Sequence, residues 1–265
     1  MNIGLSTANF FPEYNTEDMI DLYGSLGVDS VEIFLNTYSE MEDDFIAMVK
    51  EKFDTYGIKV NSVHVMSAMM EPCLFDLLDR RRRDFIKIYK QTLKCVQGLG
   101  SQIYTFHGVP KNMAQPSQYD HVACCYDVLY ELAGEAGIHL AQENVAYLAS
   151  GSTDFIQEMK SRMKQRMVHT FDIKQAVRAG VDPYQYLEVI QDDLVNVHIN
   201  DHDGNHTCLL PGQGTFDFTR FFSKLKQIDY DGNGILELYR HNFNDEADLV
   251  NARLGLLRQM EEHGL

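Results

Sequence analysis

Short β-rich runs and longer amphipathic stretches alternate along this chain from one end to the other, and that alternation leaves few folds open. The strand-like runs are Asn2–Thr7, Ser30–Leu35, Lys59–Met66, Gln102–His107, His139–Val145, Val168–Ile173, Val195–Asn200 and Gly234–Tyr239. Between and after them lie Thr16–Leu26, Asp43–Tyr56, Asp76–Leu99, Ser117–Ala136, Thr153–Lys164, Pro183–Gln191, Asp217–Gln227 and Glu246–Glu262, whose apolar residues recur at helical spacing. A strand followed by a helix, repeated, predicts a parallel sheet with helical crossovers, and eight of each is what a closed (β/α)8 barrel needs. Several stretches end at glycine, as in Leu26-Gly27, Tyr56-Gly57, Leu99-Gly100 and Ala136-Gly137, where a helix C-terminus turns left-handed. An open doubly wound sheet is the competing architecture. It carries a glycine-rich phosphate loop after its first strand, and Thr7-Ala8-Asn9 is not one. The 265 residues match one barrel of about 250, so residues 1–265 are expected to form one domain.

Charge narrows the partners. The formal net charge is −16, and nucleic acid binding favours a basic face that the sequence lacks. The one basic run, Arg80–Arg83, opens an amphipathic stretch and reads as a solvated helix face. There is no apolar run long enough to span a bilayer and no signal peptide, so neither a nucleic acid nor a membrane is an expected partner. Five cysteines without a CxxC pair fit reduced, mostly buried thiols and a cytoplasmic setting.

Side chains alternate along a strand, so one parity faces the barrel axis. In Val195–Asn200 the valines and isoleucine take one parity and Asn196, His198 and Asn200 the other. By the same count Glu237 opposes Leu236 and Leu238, Asp172 goes with Val168 and Thr170, and Glu143 goes with Ala141. Four successive strands thus aim a polar residue inward near their C-terminal ends, where barrel enzymes keep reactive groups. Three buried carboxylates would repel one another and lose hydration without a cation. A divalent ion held by Glu143, Asp172, His198 and Glu237 removes the conflict. Three carboxylates and one imidazole are a hard set that suits Mn²⁺ first, with Mg²⁺, Co²⁺ or Zn²⁺ as other occupants.

These residues carry a family likeness. Ile3-Gly4-Leu5-Ser6, Gln142-Glu143-Asn144, Phe171-Asp172, Val197-His198-Ile199-Asn200-Asp201, Pro211-Gly212-Gln213-Gly214 and Leu236-Glu237-Leu238, in this order and spacing, resemble the xylose isomerase-like barrel superfamily. That group holds sugar isomerases and epimerases, inosose dehydratases, hydroxypyruvate isomerases and endonuclease IV repair enzymes. The resemblance implies that Glu143, Asp172, His198 and Glu237 match the four metal ligands of the ketose 3-epimerase branch. His64 and His107 stand where the endonuclease branch places a further metal. Gln175, His206 and Cys208 depart from the rest of that branch's trinuclear site. Gln175 and the arginine-free Asp201-His202-Asp203-Gly204 also depart from the substrate contacts of epimerases acting on free ketohexoses.

The chemistry implied is that of a metal-dependent sugar, or sugar phosphate, isomerase or epimerase that removes a proton next to a carbonyl by way of an enediolate. Glu143 and Glu237 would act as the acid–base pair on opposite faces of a carbohydrate substrate. His64, His107 and Lys174 are candidates for orienting hydroxyls, and Arg240 for meeting an anionic group. Phe10, Phe11 and Tyr14 are placed to cap the site, and Met66, Met69 and Met70 read as flexible core fillers. A keto-polyol dehydratase on the same metal site, an endonuclease IV-like phosphodiesterase and a non-catalytic sugar-binding subunit are the alternatives. A homo-oligomer is expected by analogy.

Overall fold

The computed structural model describes residues 1–65 and 67–264, so Met66, the expected end of the third strand, lies outside the described residues. Eight parallel strands close into one ring: β1 (Ile3–Ser6), β2 (Ser30–Leu35), β3 (Lys59–Val65), β4 (Ile103–Phe106), β5 (His139–Glu143), β6 (Val168–Asp172), β7 (Leu194–Ile199) and β10 (Gly234–Leu236). The ring closes where β1 pairs with β10, Ile3 opposite Gly234 and Leu5 opposite Leu236. A small antiparallel hairpin, β8 (Asp201–His202) with β9 (Thr207–Leu209), follows β7 outside the ring. The expected (β/α)8 barrel is the fold observed.

The helices are α1 (Thr16–Ser25), α2 (Asp43–Tyr56), α3 (Ser67–Met70), α4 (Asp79–Gly98), α5 (Tyr119–Glu135), α6 (Thr153–Arg162), α7 (Ile173–Arg178), α8 (Pro183–Ile190), α9 (Phe218–Gln227) and α10 (Glu246–His263). Their apolar faces pack on the outward parity of the strands. Val31, Ile33 and Leu35 of β2, for example, are buried with Ile20 and Tyr23 of α1 and Val49 and Phe53 of α2. The four glycines expected to stop helices all have positive φ, and Gly57 caps α2 at φ 68°, ψ 23°.

Differences from expectation sit at strand and helix ends. The stretch expected as one helix from Asp76 begins only at Asp79, after a 3-10 turn over Glu71–Phe75. Strands five and six stop at Glu143 and Asp172, because the next residues turn into loop and helix. The last strand ends at Leu236, and Glu237 continues the ladder by one bond, its N–H donating to Ile199 O at 3.2 Å. Helix α7 was not expected: Asp172 caps it, Oδ1 accepting from Gln175 N at 3.3 Å. The Arg80–Arg83 run lies on α4, with Arg82 and Arg83 paired to Asp79 and Arg81 to Asp76 at the surface. Of the methionines after β3, Met70 is buried and Met69 exposed. Among the described residues no helix is long and apolar enough to cross a membrane.

Candidate metal centre

Strand ends deliver four side chains to one point. Glu143 ends β5, Asp172 ends β6, His198 stands next to last in β7, and Glu237 follows β10. One ligand atom from each lies within 4.8 Å of those of the others. Around His198 Nδ1, Glu237 Oε2 is 3.4 Å away, Glu143 Oε1 3.5 Å and Asp172 Oδ2 3.8 Å. His198 Nδ1, Asp172 Oδ2 and Glu143 Oε2 are buried and within ion-pair reach of neighbours, yet none forms a hydrogen bond of acceptable geometry. Buried acceptors left in that state are costly in a native interior. Three converging carboxylates and an imidazole nitrogen therefore fit a hard divalent cation.

The other predicted residues surround this point. Lys174, almost fully buried on α7, sets Nζ 3.0 Å from Asp172 Oδ2 and 2.8 Å from Glu237 Oε2. His107 Nε2 lies 2.9 Å from Glu143 Oε2 and 2.8 Å from His64 Nε2. His64, His107 and Glu143 thereby form a second compact group with metal-ligand geometry, sharing Glu143 with the first. Arg240 lines the same mouth, its Nε donating to Glu13 at 2.6 Å and its Nη1 to Phe243 O at 3.0 Å. The mouth is a cavity of about 960 Å³ lined also by Phe11, Phe34, Tyr147, Gln175 and Tyr239. Phe11 is on its wall, whereas Phe10 is buried beneath, edge-on to Phe243 and Tyr14.

Electrostatics follow from burial against close partners. Burial alone would raise the Glu143 carboxyl, but the imidazoles of His107, His198 and His64 outweigh it and hold the group well below the usual carboxylate range. Glu237 is likewise pulled down, burial being overcome by the Lys174 ammonium and His198. Burial disfavours the charged Lys174, yet Asp172 and Glu237 push its pKa well above the ordinary lysine value. His198, whose burial favours the neutral ring, is raised by Glu32, Glu237 and the other two carboxylates.

Glu32 was not singled out from the sequence. Its side chain points to the axis beside a register shift between Val31 and Glu32, the kind of irregularity that re-aims a side chain. Oε2 accepts from Ser62 Oγ at 2.7 Å and Thr105 Oγ1 at 2.8 Å, and lies 3.1 Å from His198 Nε2. A carboxylate behind the imidazole holds the proton on Nε2, so Nδ1, facing the three acids, is the nitrogen that would give up its proton to a cation. The signal was present: Val31, Ile33 and Leu35 share one parity and Glu32 has the other. The loop after β7 is organised by a second missed acid. Asp201 accepts the N–H groups of Gly212 at 2.9 Å, Gly214 at 3.0 Å, Phe216 at 3.0 Å and His202 at 2.7 Å.

Comparison with known proteins places the architecture. An uncharacterized protein of Methanocaldococcus jannaschii is 22% identical over 284 residues, covering 99% of this chain and 94% of that protein. A solved D-tagatose 3-epimerase-like protein superposes with a TM-score of 0.81 at 20% identity, covering 100% of this chain and 98% of the other. The 3-keto-D-glucoside 4-epimerase YcjR from E. coli gives 0.74 at 21% identity, over 97% and 99% of the two chains. At these identities the superpositions speak for the fold. The sequence profile of the xylose isomerase-like TIM barrel matches residues 20–260, and the chain belongs to that family.

Proposed function

We propose that this barrel is a divalent-metal-dependent sugar isomerase or epimerase working by proton transfer next to a carbonyl through an enediolate. One observation carries the proposal. Of the four converging groups, Glu143 and Glu237 line the mouth cavity, while Asp172 and His198 lie fully buried beneath it. The two glutamates are therefore the carboxylates a substrate meets. Similarity to proteins named as sugar epimerases supports the same reaction class.

Glu143, Asp172, His198 and Glu237 would hold the ion, with Mn²⁺ the best match to the donor set. When bound, it supplies Lewis acidity to the carbonyl and hydroxyl oxygens of a ketose. The protein supplies the proton chemistry. Glu143 and Glu237 both start ionised, for the reasons given above, and so both can accept a proton from carbon. They come from β5 and β10, which stand apart in the ring with β6 and β7 between them. One removes the proton and the other returns it: to the opposite face for epimerisation, or to the neighbouring carbon for isomerisation. Lys174 Nζ fixes Glu237 Oε2, and His107 Nε2 faces Glu143 Oε2, so each base is aimed by its own partner. Gln142 holds the His107 turn, its Nε2 donating to His107 O at 2.7 Å.

The test is deuterium uptake from solvent at the carbons beside the carbonyl, followed by NMR with Mn²⁺ and a panel of ketoses. Glu143→Gln and Glu237→Gln are each expected to reduce turnover by about a thousandfold or more, with circular dichroism unchanged. Near wild-type uptake in either variant overturns the two-glutamate scheme.

A further inference from the structure

We propose that the mouth is built for an uncharged carbohydrate of two rings, the keto sugar over the glutamates and a second ring on an aromatic rim. This inference rests on the proposed function and adds what the substrate carries away from its reacting carbon.

Charge comes first. Among the described residues lining the cavity, the lysine and arginine are Lys174 and Arg240, and both already face carboxylates. The carboxylates of the lining, Glu13, Glu143 and Glu237, and Asp172 beneath them already engage those two cations and the imidazoles of His107 and His198. Among the described residues, no lysine or arginine of the lining is left over for a phosphate dianion, which calls for cations around it. The glycine loop after β7 offers no substitute. Barrels often seat phosphate in the loops after strands seven and eight. In this chain the N–H groups of that glycine loop, at Gly212, Gly214 and Phe216, all point into the carboxylate of Asp201. An internal anion fills the cradle.

Shape comes second. The cavity of about 960 Å³ is at the upper end of the roughly 300–1,000 Å³ of small-molecule sites. Its rim carries Phe11, Tyr147 and Tyr239, which are 55%, 62% and 38% exposed. Exposed aromatics gathered on one cleft mark a ligand groove. Their negative faces suit the positive C–H edges of a sugar ring, and their apolar area rewards its burial. Tyr239 is fixed at the edge of this rim, its ring stacked on His241 at 5.8 Å and lying under Lys174 Nζ at 5.0 Å, with its hydroxyl accepting from Arg178 Nη1 at 2.7 Å. Phe11 and Tyr147 are therefore the rings that would meet the second sugar. The rim is continuous with the catalytic glutamates, so a ligand bound at one reaches the other.

Three ketoses with one common reacting end test this: D-fructose with a free hydroxyl at C6, D-fructose 6-phosphate, and isomaltulose with a glucosyl group at that position. Titration calorimetry on the Mn²⁺-loaded protein reads affinity, and deuterium uptake reads proton removal. Isomaltulose is expected to bind about tenfold more tightly than fructose, and the phosphate about tenfold more weakly. In Phe11→Ala and Tyr147→Ala the preference for isomaltulose over fructose should fall to about threefold or less. Tightest binding of the phosphate, with uptake intact, overturns the inference and leaves the proposed reaction standing. Absence of uptake from all three sinks the reaction and the inference with it. If the alanine variants keep the preference and instead split a dimer in sedimentation, the rim is a subunit contact and the second-ring site is refuted.

Discussion

Glu32→Gln isolates the effect of one buried charge on the centre. The carboxylate accepts from Ser62, Thr105 and Asn196 and faces His198 Nε2 at 3.1 Å, with no solvent contact. Burial alone would raise its pKa, but His198 outweighs that and holds the group below the usual carboxylate range, so it faces the imidazole as an anion. Glutamine keeps the volume and one acceptor oxygen. It replaces a charge-assisted bond with a neutral one of about half the strength, and its amide nitrogen takes the place of Oε1, which has no hydrogen-bond partner. The ring then loses both the anchor of its orientation and part of its basicity. Losing such an outer partner typically costs ten- to a hundredfold in metal affinity, which is about 1.4–2.7 kcal/mol. Titrating metal-free protein with MnCl₂ in a calorimeter at neutral pH measures it directly, with circular dichroism confirming the fold. Wild-type Mn²⁺ affinity in a correctly folded Glu32→Gln protein would refute the argument that Glu32 positions His198 as a ligand.

Two further outcomes follow from local geometry. A Cβ on Gly214 would lie 2.3 Å from His202 O and 2.4 Å from Asp201 Oδ1. Gly214→Ala should therefore cost about 2–3 kcal/mol and lower Tm by roughly 5–10 °C, whereas Gly134→Ala in α5, with open space around it, should be neutral or stabilising; equal Tm values in calorimetry would contradict this. His169, buried with both ring nitrogens unbonded, has its pKa lowered from 6.5 to about 3 by burial and then Lys160. The unfolded chain thus takes up a proton that the folded one refuses, so stability present above pH 6.5 is lost as pH falls towards 3. The slope is about 1.4 kcal/mol per pH unit, approaching 5 kcal/mol in all. Urea unfolding between pH 7 and 4 should show that slope diminished in His169→Gln, and an identical slope would sink the assignment.

The barrel was legible because its signal is long-range and repeated: eight alternations, each spanning tens of residues, average out local ambiguity. The inward parity of Asp172, His198 and Glu237 was legible for a related reason, since each sits between apolar neighbours of opposite parity, while Glu143, between Gln142 and Asn144, was placed by its parity with Ala141; the structure brings all four together. What escaped was short or non-local. Two- and three-residue strands such as β8 and β9 carry no periodicity to read. Helix α7 has six residues, and its N-cap is Asp172, already accounted for as a candidate ligand. Partners far apart in sequence, such as Arg240 with Glu13 or Lys174 with Glu237, arise only when the ring closes.

The interior below the site explains why Glu32 was the residue to miss. A barrel of this kind is usually filled by layers of branched apolar side chains. In this one Glu32, Ser62, Thr105, Thr170, Asn196 and His198 are all fully buried inside the ring. Asn196 extends the polar layer downward through Asn61, which accepts from Asn233 at the bottom of β10. The bonds from Ser62, Thr105, Asn196 and His198 converge on a single carboxylate oxygen, Glu32 Oε2, while Thr170 Oγ1 has no hydrogen-bond partner. Departures from local rules that cluster around one side chain belong to function rather than to folding economy. Read one strand at a time, Glu32 is an acid among apolar residues; only with the ring closed do Ser62, Thr105 and Asn196 become its hydrogen-bond donors and His198 the group it supports.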